Sequence, residues 1–292
     1  MDSTINVVYA VDIDGIGAQQ FCDELFCSIA SLDMNRGPDD RFSVYVLYAN
    51  FPAWVMDNLS RLRSDTLSIE FLRLPEKDLN YMQSFSRHPR GAAIRCWSGI
   101  VYTRIFIPKF LPHLDRCIYL DADTMVVRSL KPLWEMDLGG KTLGMNRGPT
   151  YEYGYNSGVI LMDLSKMKSD ETLYTRLGEF MKENALKYNM PDQTLINEFF
   201  RGDIHEIGRE WNFPPEMYVK DPVMKKAGIL HFYAGKDKPY NMCRDDYSRS
   251  FIMWNNVYSK AMKAIKGVRE EKEDEEVAEE AVEENTGVVR GS

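Results

Sequence analysis

Two aspartates one residue apart, Asp121 and Asp123, lie between apolar runs in "RCIYLDADTMVVRSL" (116–130), and three chemistries suit that arrangement. As a nucleophile and its acid partner they would serve a phosphatase, with Thr124 completing a D-x-D-x-T pattern. That chemistry also needs a later apolar strand ending in an acid pair for Mg²⁺. The only later adjacent pair, Asp245-Asp246, follows "NMCR", which is no buried strand. As a metal clamp, the two carboxylates would present oxygens to one divalent cation. Mg²⁺ or Mn²⁺ held by few protein oxygens keeps open positions for a diphosphate. The third possibility is an ordinary strand-ending turn, because acids at strand ends are common.

Which of these applies depends on the elements that carry the pair. "INVVYAV" (5–11) is dense in β-branched residues and reads as a buried first strand ending at Asp12 and Asp14. A helix is expected at about 18–32, with Phe21, Leu25, Ile29 and Leu32 on one face. "FSVYVLYA" (42–49) and "LSIEFLRL" (67–74) read as strands separated by a helix in "FPAWVMDNLSRL". "IRCWSGIVYTRIFIPKFL" predicts a buried helix ending near Pro108, and 116–120 a further strand. This βαβαβ alternation predicts a doubly wound, mostly parallel sheet, in which ligands sit beyond the carboxyl ends of the strands. Both acid pairs would then face one crevice. Farther on, "YNSGVILMDL" (155–164) turns into a strand, and 171–187 reads as helical. "PDQTLINEFF" opens a helix, and "ILHFYAGKDKPY" is a short strand running into a loop. Phe251, Trp254, Tyr258, Ala261, Met262 and Ile265 mark one face of a last helix, most simply as core residues.

Composition narrows the partners. Of 292 residues, 44% are hydrophobic and 27% charged, which suits a globular protein with a sizeable core. The net charge of −8 is concentrated in "EEKEDEEVAEEAVEE" (270–284), whose ten acids and one lysine leave a nearly neutral body. Nucleic acid is therefore an unfavoured partner. The expected organisation is one domain over 1–266 followed by an acidic, solvated or disordered tail over 267–292. No apolar run reaches membrane-span length, so the expectation is a cytoplasmic protein with at most peripheral membrane association. Five scattered cysteines without a CxxC pair suit reduced thiols.

The chain also resembles the family 8 retaining glycosyltransferases. The likeness rests on ordered blocks: "YAVDID" (9–14), "YTRIFIPKFLPHLDRCIYLDADTMV" (102–126), "LKPLWEMDL" (130–138), "YNSGVILMDL" (155–164), "PDQTLIN" (191–197) and "HFYAGKDKPY" (231–240). The resemblance implies a GT-A fold, a Rossmann-like α/β sheet with helices on both faces. It also implies a Mn²⁺ or Mg²⁺ ion and a UDP-sugar donor. By the same token Asp121, Asp123 and His231 would hold the metal. Ala10, Asp12 and Asp14 would meet the nucleoside beside Asp121 and Ala122. Arg104 would reach the donor's phosphate or sugar, and Asn156 the donor or acceptor. Gly235 and Lys238 would bring an amide and a cation to the diphosphate.

Asp192 and Gln193 would sit at the sugar's anomeric carbon, and Asp192 also suits the first turn of a helix. Retention of configuration ordinarily suggests a double displacement through a carboxylate. The residue that the resemblance places nearest is instead the amide of Gln193, a poor nucleophile. Attack from the face that UDP leaves, with the β-phosphate taking the acceptor's proton, is the mechanism this implies. The implied activity is transfer of glucose or galactose to a saccharide, glycolipid or glycoprotein acceptor, as in lipopolysaccharide-type synthesis. A sugar-nucleotide-binding pseudoenzyme on the same fold is the alternative. Three departures from the pattern bear on specificity. Gly15 stands where an aromatic can stack on uracil, the His231-to-Lys238 spacing is one residue longer, and Asn146-Arg147 replaces a sugar-gripping acid. "DIDGIGAQQ" is no dinucleotide fingerprint, because Gln20 occupies the place of the third glycine.

Overall fold

The computed structural model describes residues 4–13, 18–85, 98–147, 154–184, 191–215, 226–233 and 252–263. Asp14, Gly15, Gly235, Lys238 and the acidic tail lie outside them, as do Phe251 and Ile265.

The amino-terminal half follows the expected alternation: β1 (Thr4–Val11), α1 (Ala18–Met34), β2 (Arg41–Tyr48), α2 (Ala53–Ser60), β3 (Leu67–Arg73) and α3 (Glu76–Phe85). A 3-10 turn (Gly99–Tyr102) leads into α4 (Thr103–Phe110), followed by β4 (Arg116–Leu120) and β5 (Thr124–Val126). The helix expected to end near Pro108 instead contains it and runs to Phe110. A proline has a helical φ, but it forfeits its own N–H bond and its ring crowds the carbonyl four residues back. Burial of Phe106, Ile107 and Pro108 holds the last turn in place.

The second half consists of α5 (Lys131–Trp134), β6 (Leu143–Arg147), β7 (Tyr155–Asp163), α6 (Leu164–Ser169), α7 (Leu173–Asn184), α8 (Pro191–Phe199), β8 (Ile204–Glu206) and β9 (Ile229–His231). A helix over 252–263, α9, follows.

Seven strands form one sheet in the order β3-β2-β1-β4-β7-β6-β8. Strands β1 to β4 and the β6–β8 pair are parallel, whereas β7 runs antiparallel to both of its neighbours. Successive strand residues point to opposite faces. Val7, Tyr9, Ile118 and Leu120 therefore pack with α1 and α2 on one side. Val8, Cys117 and Tyr119 pack with residues of α3, α4, α6, α7 and α8 on the other. Burial on both faces explains the nearly unbroken apolar runs of β1 and β4.

β5 and β9 form a separate antiparallel pair. It is backed by a third cluster in which Met125, Leu230 and Phe232 meet Cys27 and Ala30 of α1 and Trp254, Val257 and Ala261 of α9. The last helix is thus a core element. No helix among the described residues is long and apolar enough to cross a membrane.

Candidate functional site

Parallel pairing of Val7 with Ile118 and Val8 with Tyr119 carries the ends of β1 and β4 to one edge of the sheet. Because β7 is antiparallel, its beginning, Asn156-Ser157-Gly158, arrives at that same edge. Register confirms it, since Leu120, the last residue of β4, pairs with Val159.

Past Leu120 the chain turns through Asp121-Ala122-Asp123. The turn is pinned on two sides: Asp121 N–H donates to Gly158 O (2.8 Å), and Thr124 Oγ1 donates to Asp121 O (2.8 Å). Behind Thr124 lies a buried hydroxyl chain, with Ser28 Oγ 3.0 Å from Thr124 Oγ1 and Tyr9 OH 2.9 Å from Ser28 Oγ. The phosphatase pattern is therefore not the reason for a threonine here. It closes the turn that aims the two carboxylates.

His231 comes from β9, opposite Thr124, and is 1% exposed. Its Nε2 lies 3.1 Å from Asp123 Oδ1 and 3.9 Å from Asp121 Oδ2. Ligand atoms of the three residues all fall within 4.8 Å of one another. The imidazole lies against β7, where only a glycine leaves it room: a Cβ on Gly158 would be 2.1 Å from His231 Cε1. The other ring nitrogen, Nδ1, is 2.8 Å from Asn212 Oδ1.

Arg104 is buried between two carboxylates. Its Nη2 is 3.0 Å from Asp121 Oδ1 and its Nη1 is 3.1 Å from Asp192 Oδ2. Nε and Nη1 also donate to the carbonyls of Val101 and Ser157, and the guanidinium lies over the Tyr119 ring at 4.5 Å. The tyrosine hydroxyl donates to Asp121 Oδ1 (2.9 Å). Burial opposes charge on Arg104, yet Asp121, Tyr119 and Asp192 together hold its pKa above the ordinary guanidinium value. Burial raises the Asp121 carboxyl, with Asp123 and Asp192 adding to the effect while Arg104 and His231 pull it down. Three carboxylates and one guanidinium leave this cluster two negative charges to offset, which matches one divalent cation.

Asp192 and Gln193 open α8 and face the start of β7. Ser157 Oγ donates to Asp192 Oδ2 (2.9 Å), and Gln193 Oε1 accepts from Asn156 Nδ2 (3.2 Å) and Ser157 N–H (3.4 Å). At the far end of the same motif Asn197 clasps Tyr155, accepting from its N–H and donating to its carbonyl, both at 2.7 Å. The close fit at Gly154, which has a φ of +68°, seats that clasp. At the end of β1, half-buried Ala10 precedes Asp12. Asp12 Oδ1 accepts from Asn50 Nδ2 (2.8 Å), and Oδ2 accepts from Ser98, which caps the 3-10 turn leading to Arg104. Ala122 is buried within the aspartate turn. Asn146 is buried and donates to Ile207 O (3.1 Å), while Arg147 pairs at the surface with Glu206 (3.0 Å).

Asp121, Asp123 and His231 are thus brought together, as are Arg104, Asn156, Asp192 and Gln193. Ala10 and Asp12 arrive at the same edge, and Asp14, Gly235 and Lys238 lie outside the described residues. Sequence reasoning missed Gly158, Tyr119, Asn197 and Asn212. A glycine inside an apolar strand does signal close approach, so Gly158 could have been found. Nothing local marks Asn212.

The donor set fits a divalent cation. His231 Nε2 is buried and makes no hydrogen bond among the described residues, although it faces two carboxylates. A neutral imidazole nitrogen beside carboxylate oxygens suits Mn²⁺.

Comparisons with known proteins identify the family of the chain. Residues 16–243 match the profile described as "Glycosyl transferase family 8". A putative glycosyltransferase of Haemophilus influenzae is 24% identical over 249 residues, covering 78% of this chain and 68% of that protein. The lipopolysaccharide 1,2-glucosyltransferase of Escherichia coli K12 is 24% identical over 267 residues, covering 81% and 73%. Among solved structures, the galactosyltransferase LgtC, in complex with donor and acceptor sugar analogs, superposes with a TM-score of 0.69. It is 22% identical, and the match covers 88% of this chain and 96% of that one.

Proposed function

Because the chain belongs to glycosyl transferase family 8, we propose that it moves glucose or galactose from a UDP-sugar to an acceptor hydroxyl with retention of configuration. In this reading Asp121, Asp123 and His231 hold Mn²⁺ or Mg²⁺. The observation that carries it is the buried, outward-aimed Nε2 of His231 facing both aspartates. When bound, the cation offsets charge that develops on the departing diphosphate.

The chain's own groups divide the remaining work. Arg104 keeps Asp121 and Asp192 apart in charge and fixed in direction. Asp192 is held by Arg104 and Ser157, so it is a carboxylate already engaged in strong hydrogen bonds and a weakened nucleophile. Gln193 has its carbonyl oxygen committed to Asn156 and Ser157, so that oxygen is not offered to the anomeric carbon. Both arrangements support attack from the face that UDP leaves, with the β-phosphate accepting the acceptor's proton. Asp12 with Asp14, Gly235 and Lys238 complete the nucleotide's surroundings in this proposal. Similarity to a lipopolysaccharide glucosyltransferase supports a surface-glycan acceptor; in this proposal the domain over 1–266 would act on it in the cytoplasm.

A UDP-release screen tests the reading, run over UDP-glucose, UDP-galactose and their N-acetyl and uronic relatives, with and without Mn²⁺. UDP release that requires the cation is the expected result. If no UDP-sugar is hydrolysed or protects the protein against heat, the donor assignment fails. Binding of UDP with Mn²⁺ but no turnover on any acceptor would mark a binding module instead. Isolation of a covalent glycosyl–Asp192 adduct would overturn the same-face mechanism.

A further inference from the structure

Imidazole ligates a metal through one nitrogen only when the proton sits on the other, and the hydrogen bond at that other nitrogen decides which tautomer forms. At His231 the partner is Asn212, an amide that could offer either a donor or an acceptor. The surrounding chain of contacts removes that ambiguity, starting from a group whose polarity is fixed.

Gly158 N–H can only donate, and it donates to Asn156 Oδ1 (3.0 Å). The Asn156 side chain therefore turns its oxygen toward Asn212, and its Nδ2 donates to Gln193 Oε1 (3.2 Å). A second backbone donor, Ser157 N–H, points at that same Gln193 oxygen and fixes the far end in the same sense (3.4 Å). Facing an oxygen, Asn212 must present its NH₂, at 2.9 Å from Asn156 Oδ1. Its own oxygen is then left for His231 Nδ1, at 2.8 Å. Asn212 is 3% exposed, so no bulk water competes for these contacts.

We infer that Asn212 is a positioning residue that fixes His231 as the Nδ1-protonated tautomer, with the Nε2 lone pair aimed at Asp121 and Asp123. Two backbone N–H groups of β7 set the direction of the whole amide chain. A fixed tautomer also holds the ring plane, so the ligand needs no reorganisation when the cation enters.

The inference rests on the metal assignment at Asp121, Asp123 and His231, and the two can fail separately. Long-range ¹H–¹⁵N NMR of the full-length, metal-free, histidine-labelled protein in alkaline buffer reads the tautomer whether or not an ion binds. The His231 signal is assigned by its loss in His231→Gln. Mn²⁺ affinity, measured by electron paramagnetic resonance of the free ion, reads the metal. Wild type should show Nδ1–H at His231. Asn212→Leu removes the acceptor and should shift His231 toward Nε2–H, with Mn²⁺ binding weakened about 10- to 100-fold. Asn212→Asp keeps an acceptor for Nδ1–H while giving up the NH₂ donated to Asn156 Oδ1, so the tautomer at His231 should persist. Nε2–H in the wild-type protein or in Asn212→Asp, or an unchanged tautomer and affinity in Asn212→Leu, would each overturn the inference. Should the leucine variant not fold, the wild-type protein and the aspartate variant still test the inference, because Nε2–H in either one overturns it. A wild-type protein that shows Nδ1–H but binds no Mn²⁺ would sink the metal assignment and leave the role of Asn212 standing.

Discussion

Gly158 and His231 are in direct contact across two sheets: a Cβ on the glycine would lie 2.1 Å from imidazole Cε1 and 2.7 Å from Nε2. The same glycine's carbonyl accepts the N–H of Asp121. One residue without a side chain therefore sets the position of both a carboxylate and the histidine it faces. Gly158→Ala should leave the sheet folded but push the ring aside, lowering Mn²⁺ affinity at least about tenfold. Circular dichroism and an Mn²⁺ titration check this, and wild-type affinity in the variant would show that the close fit is dispensable.

Arg104 makes a second prediction. Removing one partner of a buried ion pair leaves an uncompensated charge, typically at a cost of about 3–5 kcal/mol. Arg104→Met should therefore destabilise the protein by about that amount in urea unfolding, since Asp121 and Asp192 both lose it. Adding Asp192→Asn should recover part of the loss. A double variant no more stable than Arg104→Met would mean that repulsion around Asp192 contributes little.

Thr124→Val tests the hydroxyl chain beneath the aspartate turn. The variant keeps the shape but loses the bond to Asp121 O and leaves buried Ser28 without that partner. A loss of about 1–3 kcal/mol is expected, read from thermal or urea unfolding. Unchanged stability would mean that the Thr124 hydroxyl contributes nothing to the turn.

The cysteines should be quiet. Cys22, Cys27 and Cys117 are free and buried. Burial pushes the Cys22 thiol up to about 11, and raises Cys27 and Cys117 as well. Raised in this way, the thiols hold little of the reactive thiolate at neutral pH. Native protein treated with a maleimide should remain unlabelled at these three positions by peptide mass spectrometry and become labelled in denaturant. Rapid native labelling at any of the three would contradict the packing.

Truncation after residue 266 should leave both the unfolding midpoint and UDP-sugar hydrolysis unchanged, because the acidic residues 270–284 offer little apolar surface to bury. A drop in either would give the tail a role in the domain.

The sequence was most legible where a local pattern has one structural outcome. A β-branched run such as "INVVYAV" makes a buried strand, and α1 shows its apolar face in the spacing of Leu25, Ile29 and Leu32. The direction of β7 was not legible, because a run of apolar residues looks the same read from either end. Helix α6, six residues long, is too short to show a period and starts on the Asp163 cap. At the site, the two aspartates announced themselves, whereas His231 was singled out only through the resemblance to a family. Asn212 could not be found at all, since its meaning lies in contacts with Asn156 and His231, 56 and 19 residues away.

The small β5–β9 sheet has a consequence for how the protein is made. Thr124 pairs with His231 more than a hundred residues later, so the carboxylates leave the ribosome long before the histidine does. A nascent chain complete through β8 holds every strand of the large sheet, together with Arg104, Asp192 and Gln193, yet lacks the ligand that closes the metal corner. If Asp121, Asp123 and His231 hold a cation as proposed, all three can do so only once synthesis has passed β9. On the proposed reading, a partly synthesised chain with most of its fold in place would still lack a complete cation site.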